Sequence, residues 1–326
     1  MTDPQKLKRF AAYAWFVLAW NVVVILWGVF LRASKSGDGC GQHWLTCGGE
    51  VIPSAPELKT TIEFSHRITS SLAGLLIVIL LVWAWRRWVK DKGEQNRLVL
   101  GSAIGCLVFV VIEGLLGAGL VLTGNTAENL TPERPLWMAG HLLNTFILLA
   151  FLTLTARYAS GGARLNWNVG GKYLAVIAIG VAAIFVVGMS GSIAALAHMI
   201  FPSGTLAEGV AMDLSATANY LLRLRLLHPI TAILTSVFLV FLTGWLAKEG
   251  SEPTVKRWSN VLALLVLVQI VFGSATLLLL APIIMQLGHL LLADAIWISY
   301  VLLAADFLST GTTIDSAIEN RERLAA

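Results

Sequence analysis

The sequence predicts an all-α, polytopic membrane protein: eight transmembrane helices arranged as two parallel-related four-helix bundles. Three observations carry this. Hydrophobic residues make up 57% of the 326-residue chain and charged residues 13%, about half the roughly 25% charge of a soluble domain. Mean hydropathy is +0.77. Eight stretches each supply the about 20 apolar residues that cross about 30 Å of hydrocarbon, and none alternates with period two as a barrel strand does. This composition excludes a soluble enzyme, a disordered chain and a nucleic-acid binder.

The first span covers 10–31 and follows a polar, basic N-terminus. No A-x-A pattern follows it, so it reads as a retained span rather than a signal peptide. No Arg- and Ser-rich transit sequence precedes it, which points to a bacterial plasma membrane. The first outer loop contains CGQHWLTC. In an oxidising compartment Cys40 and Cys47 suit a disulfide, structural or redox-active. A metal site of Cys40, His43 and Cys47 ranks lower for want of a fourth ligand.

The second span, 62–85, carries Glu63, His66 and Arg67 at its outer end. Trp83, Trp85 and Trp88 beside Arg86 and Arg87 form an interfacial belt at its inner end. The third, 98–122, holds Cys106 as a small apolar filler. It also holds Glu113, a carboxylate that hydrocarbon requires to be protonated, paired or part of a proton path. The fourth span, 136–157, opens with His141. The fifth, 173–196, leads into a loop begun by His198. The sixth, 221–246, opens with Arg223, Arg225 and His228. The seventh is 258–281. The eighth, 287–308, contains His289, Asp294 and Asp306, the last near enough to the inner end to reach water.

Charge sets the orientation. Sixteen of the 23 Lys and Arg fall on one side: Lys6, Lys8, Arg9; Arg86, Arg87, Lys90, Lys92, Arg97; Arg157, Arg164, Lys172; Lys248, Lys256, Arg257; Arg321, Arg323. Arg32, Lys35, Lys59, Arg134, Arg223 and Arg225 fall on the other, and Arg67 lies just inside a span. The positive-inside rule then puts both termini in the cytoplasm. It also accounts for the net charge of +4 without a polyanionic partner.

With eight spans and both ends inside, spans 1–4 and 5–8 share an orientation, so residues 1–160 and 161–326 read as parallel repeats. Gly28 before His66 matches Gly188 before His228, and Glu113 before Gly117 matches Gln269 before Gly273. His66, His141, His228 and His289 each lie within the first two turns of an even-numbered span, hence at one depth near the outer face. A single intramembrane His is as well explained by a bond to a neighbouring carbonyl or Ser. Four at one depth, two in each half, instead suit axial ligands of two haem irons. Zinc or copper would need three or four ligands converging on one ion, which requires the halves to meet tightly at the centre.

The halves differ chemically. Glu63 shares a helical face with His66; there it can accept a proton or stabilise positive charge on a substrate carbon, unless it is merely a water-exposed edge residue. Arg225 takes the corresponding place before His228, with Arg223 nearby, where a guanidinium suits a haem propionate. Arg67 suits a propionate or snorkels outward.

The runs GDGCGQHWLTCGGEVIPS and IEFSHRITSSLAGLL, the His opening the fourth span, DLSATANYLLRLRLLHPITA and QLGHLLLADAIW together resemble the heme A synthase family over nearly the whole chain. The loop Cys pair followed by E-x-x-H-R is the most specific part. The resemblance implies oxidation of the C8 methyl of haem O to a formyl group, giving haem A for terminal oxidases. It implies Glu63 as catalytic carboxylate, His66 and His141 around the substrate haem, and His228 and His289 as ligands of a haem b cofactor. It also implies a Cys40–Cys47 disulfide beside the reaction site. Two features depart from the pattern of some members: residues 197–220 contain no second Cys pair, and Pro229 stands where an Arg follows the third His. Implied partners are the lipid bilayer, a quinol or ferredoxin-like electron donor, the enzyme that supplies haem O and a second copy of the chain. Two other classes compete. A bis-His di-haem cytochrome carrying electrons from quinol needs the four His but not Glu63. A proton-coupled transporter would use the His without haem.

Overall fold

The computed structural model describes residues 4–250 and 252–309, the side chains from Lys8 onward; Arg321, Arg323 and the Lys6 side chain lie outside the described residues. The helices are α1 Pro4–Ala33, α2 Leu58–Lys90, α3 Glu94–Leu122, α4 Arg134–Ala159, α5 Gly171–Ile200, α6 Leu206–Leu214, α7 Tyr220–Arg225, α8 Leu227–Glu249, α9 Pro253–Leu278 and α10 Ile283–Ser309. Taking α7 and α8 as one span, eight are long and apolar enough to cross a membrane, and no strand occurs among the described residues. The chain is a multi-pass membrane protein. All eight expected spans are present, extended at several ends by polar turns that hydropathy alone leaves out.

One short helix, α6, was not expected, and the sixth span divides into α7 and α8. In the connection between α5 and α8, Thr205 caps α6 by accepting the Glu208 N–H at 3.1 Å, while Glu208 Oε2 accepts from the Gly204 N–H at 2.8 Å. This reciprocal pairing satisfies donors that a helix start leaves free. Asn219 Oδ1 accepts from the Leu221 N–H at 3.0 Å and starts α7. The sixth span breaks at Leu226 because Pro229 has no N–H to offer the Arg225 carbonyl and its ring crowds that position.

Among the first four spans α1 packs on α2 and α4, and α3 on α2 and α4; among the last four, α8 packs on α5 and α9, and α9 on α10. The two sets meet where α4 lies against α5 and α10, and α1 against α10. Accordingly the most apolar windows of α4 and α10 are 50% and 56% buried, against 11–22% in the others, which makes these two the central helices. Their contact is aromatic: Phe146 stacks on Trp297 with centroids 5.7 Å apart, and the indole N–H donates to the Phe146 carbonyl at 2.6 Å. Tyr300 donates to the Ile177 carbonyl at 2.6 Å, lying so close to α5 that a Cβ on Gly180 would fall 2.2 Å from its hydroxyl. At the end distant from the histidines, Arg157 Nε meets Asp306 Oδ1 at 2.7 Å, and its other nitrogens donate to the Ala163 carbonyl and the Ser309 hydroxyl. Asp306 is thus paired rather than merely solvated.

Candidate functional site

The loop of residues 34–57, between α1 and α2, docks on the start of α2. A Cβ on Gly39 would lie 2.4 Å from the Lys59 carbonyl, so only glycine permits the approach, and the Thr60 hydroxyl donates to the Gly39 carbonyl at 2.7 Å. Cys40 and Cys47 form a disulfide. That removes both thiolates from any metal site with His43, and among the described residues no three His, Cys, Asp or Glu side chains converge to hold a metal ion. The docked loop aims the Cys40 N–H at Glu63 Oε2, 2.8 Å away. Glu63 Oε1 accepts from Arg67 Nε at 3.1 Å and also from Nη2. Only 3% exposed, Glu63 is not an outer-edge residue in water. Arg67 Nη1 donates to the carbonyls of His43, Trp44 and Thr46. The guanidinium therefore clamps the loop to the carboxylate instead of snorkelling outward.

One turn along α2 from Glu63, His66 lies in a groove of α1. A Cβ on Gly28 would stand 3.0 Å from its Cε1, and Trp27 donates to Ser65 at 3.1 Å, fixing the helix pair. His66 and His141 are close enough to interact electrostatically. Glu113 of α3 places Oε1 3.5 Å from His141 Nδ1. Glu113 is itself held by the Asn144 amide at 2.5 Å and the Thr145 hydroxyl, both on α4.

The other pair repeats this plan with different chemistry. His228 and His289 face one another with ring centroids 6.2 Å apart and planes at 87°. A Cβ on Gly191 would lie 2.9 Å from His228 Cε1, and one on Gly273 2.8 Å from His289 Cε1. The partner of His228 on α5 is therefore Gly191, not the Gly188 that the spacing suggested; Gly188 abuts Phe146. Ser190 lies 3.3 Å from His228 Nδ1, and Gln269 donates to the His289 carbonyl at 3.1 Å. Arg225 is held by Asp213 through two nitrogens and by the Gly209 carbonyl, while Arg223 is exposed and donates to the Ala216 carbonyl. Both arginines end α7, beside the start of α8 that carries His228.

These residues fit a haem. Nδ1 of His66, His141 and His289 is buried with no hydrogen-bond partner, and each of three rings sits where a glycine leaves room for nothing larger than hydrogen. With about 2 Å from each nitrogen to a metal, two opposed imidazoles have ring centroids about 6 Å apart, which the His228–His289 spacing meets.

A second set of residues was not singled out by the sequence. Arg32 at the end of α1 donates to Gln286 at the start of α10, and buried Arg134 at the start of α4 donates to the carbonyls of Ala127 and Asn129. Lys35 pairs with Glu128, joining the α1–α2 loop to the α3–α4 loop; that hydrogen bond and charge hold the Glu128 carboxyl below the usual carboxylate range. Polar residues at opposite ends of distant spans carry no periodic signal, so only the fold brings them together.

The family model described as cytochrome oxidase assembly protein matches residues 11–301. The chain belongs to the heme A synthase family. Among relatives of this family, a Thermus thermophilus protein named protoheme IX farnesyltransferase is 44% identical over 304 residues, 93% of this chain and 49% of the relative. A heme A synthase of Halalkalibacterium halodurans is 43% identical over 105 residues, 32% of this chain and 34% of the relative. One of Shouchella clausii is 35% identical over 138 residues, 42% of each. The chain spans about half the length of the Thermus relative.

Proposed function

We propose that this member of the heme A synthase family oxidises the C8 methyl of haem O to a formyl group, giving haem A for terminal oxidases. Residues 1–160 hold the substrate and residues 161–326 a haem b cofactor. Gly28 with His66 and Gly191 with His228, and Glu113 with His141 and Gln269 with His289, support two repeats with one porphyrin-sized slot apiece. In the first, His66 and His141 flank the substrate; in the second, His228 and His289 ligate haem b, whose chemistry is one-electron transfer. Arg223 and Arg225 lie at the mouth of the second slot for propionates. Arg67 reaches a propionate only if it releases a loop carbonyl.

The observation that carries the reading is the asymmetry between the slots: the buried carboxylate of Glu63, with donors on both oxygens, stands one turn before His66, where the guanidinium of Arg225 stands before His228. Glu63 has fixed donors on both oxygens, so its charge is oriented before substrate arrives. A preorganised carboxylate stabilises positive charge developing on an adjacent carbon and receives the proton released there. A pure electron carrier has no use for it. The substrate's hydrocarbon substituent has a place as well. A cavity of about 410 Å³ between α1, α2 and α10 is lined by Val24, Trp27, Phe30, Thr69 and Leu287; Thr69 lies one turn from His66 and Trp27 adjoins Gly28.

The Thermus relative, twice as long and named for farnesyl transfer to protohaem IX, supports the enzyme that makes haem O as a partner of this chain. Converting the methyl to a formyl group removes four electrons, which an external oxidant takes up together with those of a quinol or ferredoxin-like donor; both termini in the cytoplasm and slots near the outer face of a bacterial plasma membrane complete the proposal. The test is Glu63→Gln in membranes supplied with haem O, followed by chromatography of extracted haem. Retained haem absorbance with haem A formation lowered at least 100-fold is the expected result. Unchanged haem A formation would remove Glu63 from the chemistry. Retained haem with no haem A made even by the unaltered chain would favour the electron carrier, and absence of haem from the unaltered chain would favour the transporter.

A further inference from the structure

Of the four slot histidines, His141 alone has a carboxylate within 4 Å of a ring nitrogen among the described residues. His228 faces a hydroxyl; Nδ1 of His66, His141 and His289 makes no hydrogen bond, and only that of His141 has a carboxylate oxygen beside it, Glu113 Oε1 at 3.5 Å. The equivalent of Glu113 beside His289 is the neutral Gln269, whose amide donates to the His289 backbone carbonyl at 3.1 Å and lies 3.5 Å from its Nε2. Asn144 and Thr145 hold both oxygens of Glu113 from the helix that carries His141, so the carboxylate and the ring it faces are fixed to one element. A carboxylate opposite Nδ1 selects the tautomer with the proton on that nitrogen. It leaves Nε2 free as a ligand and raises the ligand's electron-donating power.

We propose that Glu113 is a positioning residue that makes His141 the stronger donor of the four, so that iron bound in the first slot is held at a lower reduction potential than iron in the second. The Glu113/Gln269 difference is then the device that makes two repeats of one plan inequivalent. It acts through His141 and touches neither the substrate's reacting carbon nor Glu63. The proposal rests on the reading of His66 and His141 as a haem slot.

The experiment uses the full chain in detergent, freed of haem and titrated with hemin, followed by spectroelectrochemical reduction. The first-slot wave is identified as the one lost in His141→Ala. Glu113→Gln should move that wave to higher potential, weaken hemin binding there about 10- to 100-fold and leave the second-slot wave in place. Gln269→Glu should move the second-slot wave to lower potential, which keeps the idea testable if Glu113→Gln fails to fold. Both waves unmoved in the two variants, with only thermal stability reduced, would overturn it and leave Glu113 as a tie between α3 and α4. If His141→Ala removes no wave from the unaltered titration, the slot reading itself fails, a result separable from either of these.

Discussion

At Gly28, Gly191 and Gly273 a single missing methyl group decides whether an imidazole fits. An added Cβ on Gly28 would press on His66 Cε1 at 3.0 Å, and one on Gly273 on His289 Cε1 at 2.8 Å. Because both neighbours are rings packed between helices, relief must come from rotating the ring and misplacing its nitrogen. Gly28→Ala should therefore weaken hemin binding at the first slot about 10-fold and spare the second; Gly273→Ala should do the reverse. Difference absorbance titrations of the two variants check this. Much at this scale was legible: charged and imidazole side chains in hydrocarbon announce themselves, and the match of Glu113 with Gln269 was visible as spacing. The choice of Gly191 over Gly188 was not. Both occur on α5 a single turn apart, and a spacing rule takes no account of how the break at Leu226 turns the start of α8. The burial of Glu63 was equally hidden, because the loop that covers it is held by Arg67 through backbone carbonyls, which have no sequence signature.

The eight spans were legible because hydropathy over about 20 residues is a property of the segment itself. Helix α6, nine residues long, lies below that window and was missed, although Thr205 is an ordinary N-cap residue; α7 falls inside the expected sixth span, and what was missed there is the break at Leu226. The loop between α1 and α2 behaves as an element too, with its own closure. A disulfide across a separation of 7 residues stabilises a chain by about 2–3 kcal/mol on loop entropy, so Cys40→Ser with Cys47→Ser should leave the bundle folded. The local effect is larger, because the Cys40 N–H is one of the donors fixing Glu63. We expect hemin binding to be retained and haem A formation to fall about 10-fold, measured by extracted-haem chromatography. On the apolar side of the same slot, Val24→Trp should fill the cavity between α1, α2 and α10. It should lower binding of haem O while leaving hemin, which lacks the long substituent, within about twofold.

For the whole molecule, what the sequence did not disclose is which helices lie at the centre. Every span is apolar, and hydropathy treats a face packed on protein and a face packed on lipid alike. The distinction lies in Asn144, Thr153 and Thr155 on α4 and in Trp297, Ser299 and Tyr300 on α10, all buried. Arg157 and Asp306 join these two helices by an ion pair whose side chains are 7% and 15% exposed. Removing one partner strands the other, at a cost of about 3–5 kcal/mol. Arg157→Ala should accordingly lower the unfolding temperature in detergent, and the double variant Arg157→Met with Asp306→Leu should recover most of the loss; thermal unfolding followed by circular dichroism decides it. The loop amide that holds Glu63 has a different consequence, one of timing. Insertion of eight helices completes the scaffold, but the corner around Glu63 is finished only when two sulfurs have been oxidised. On the proposed function, a freshly made chain would thus pass through a stage in which it can already take up pigment yet is not ready to transform it.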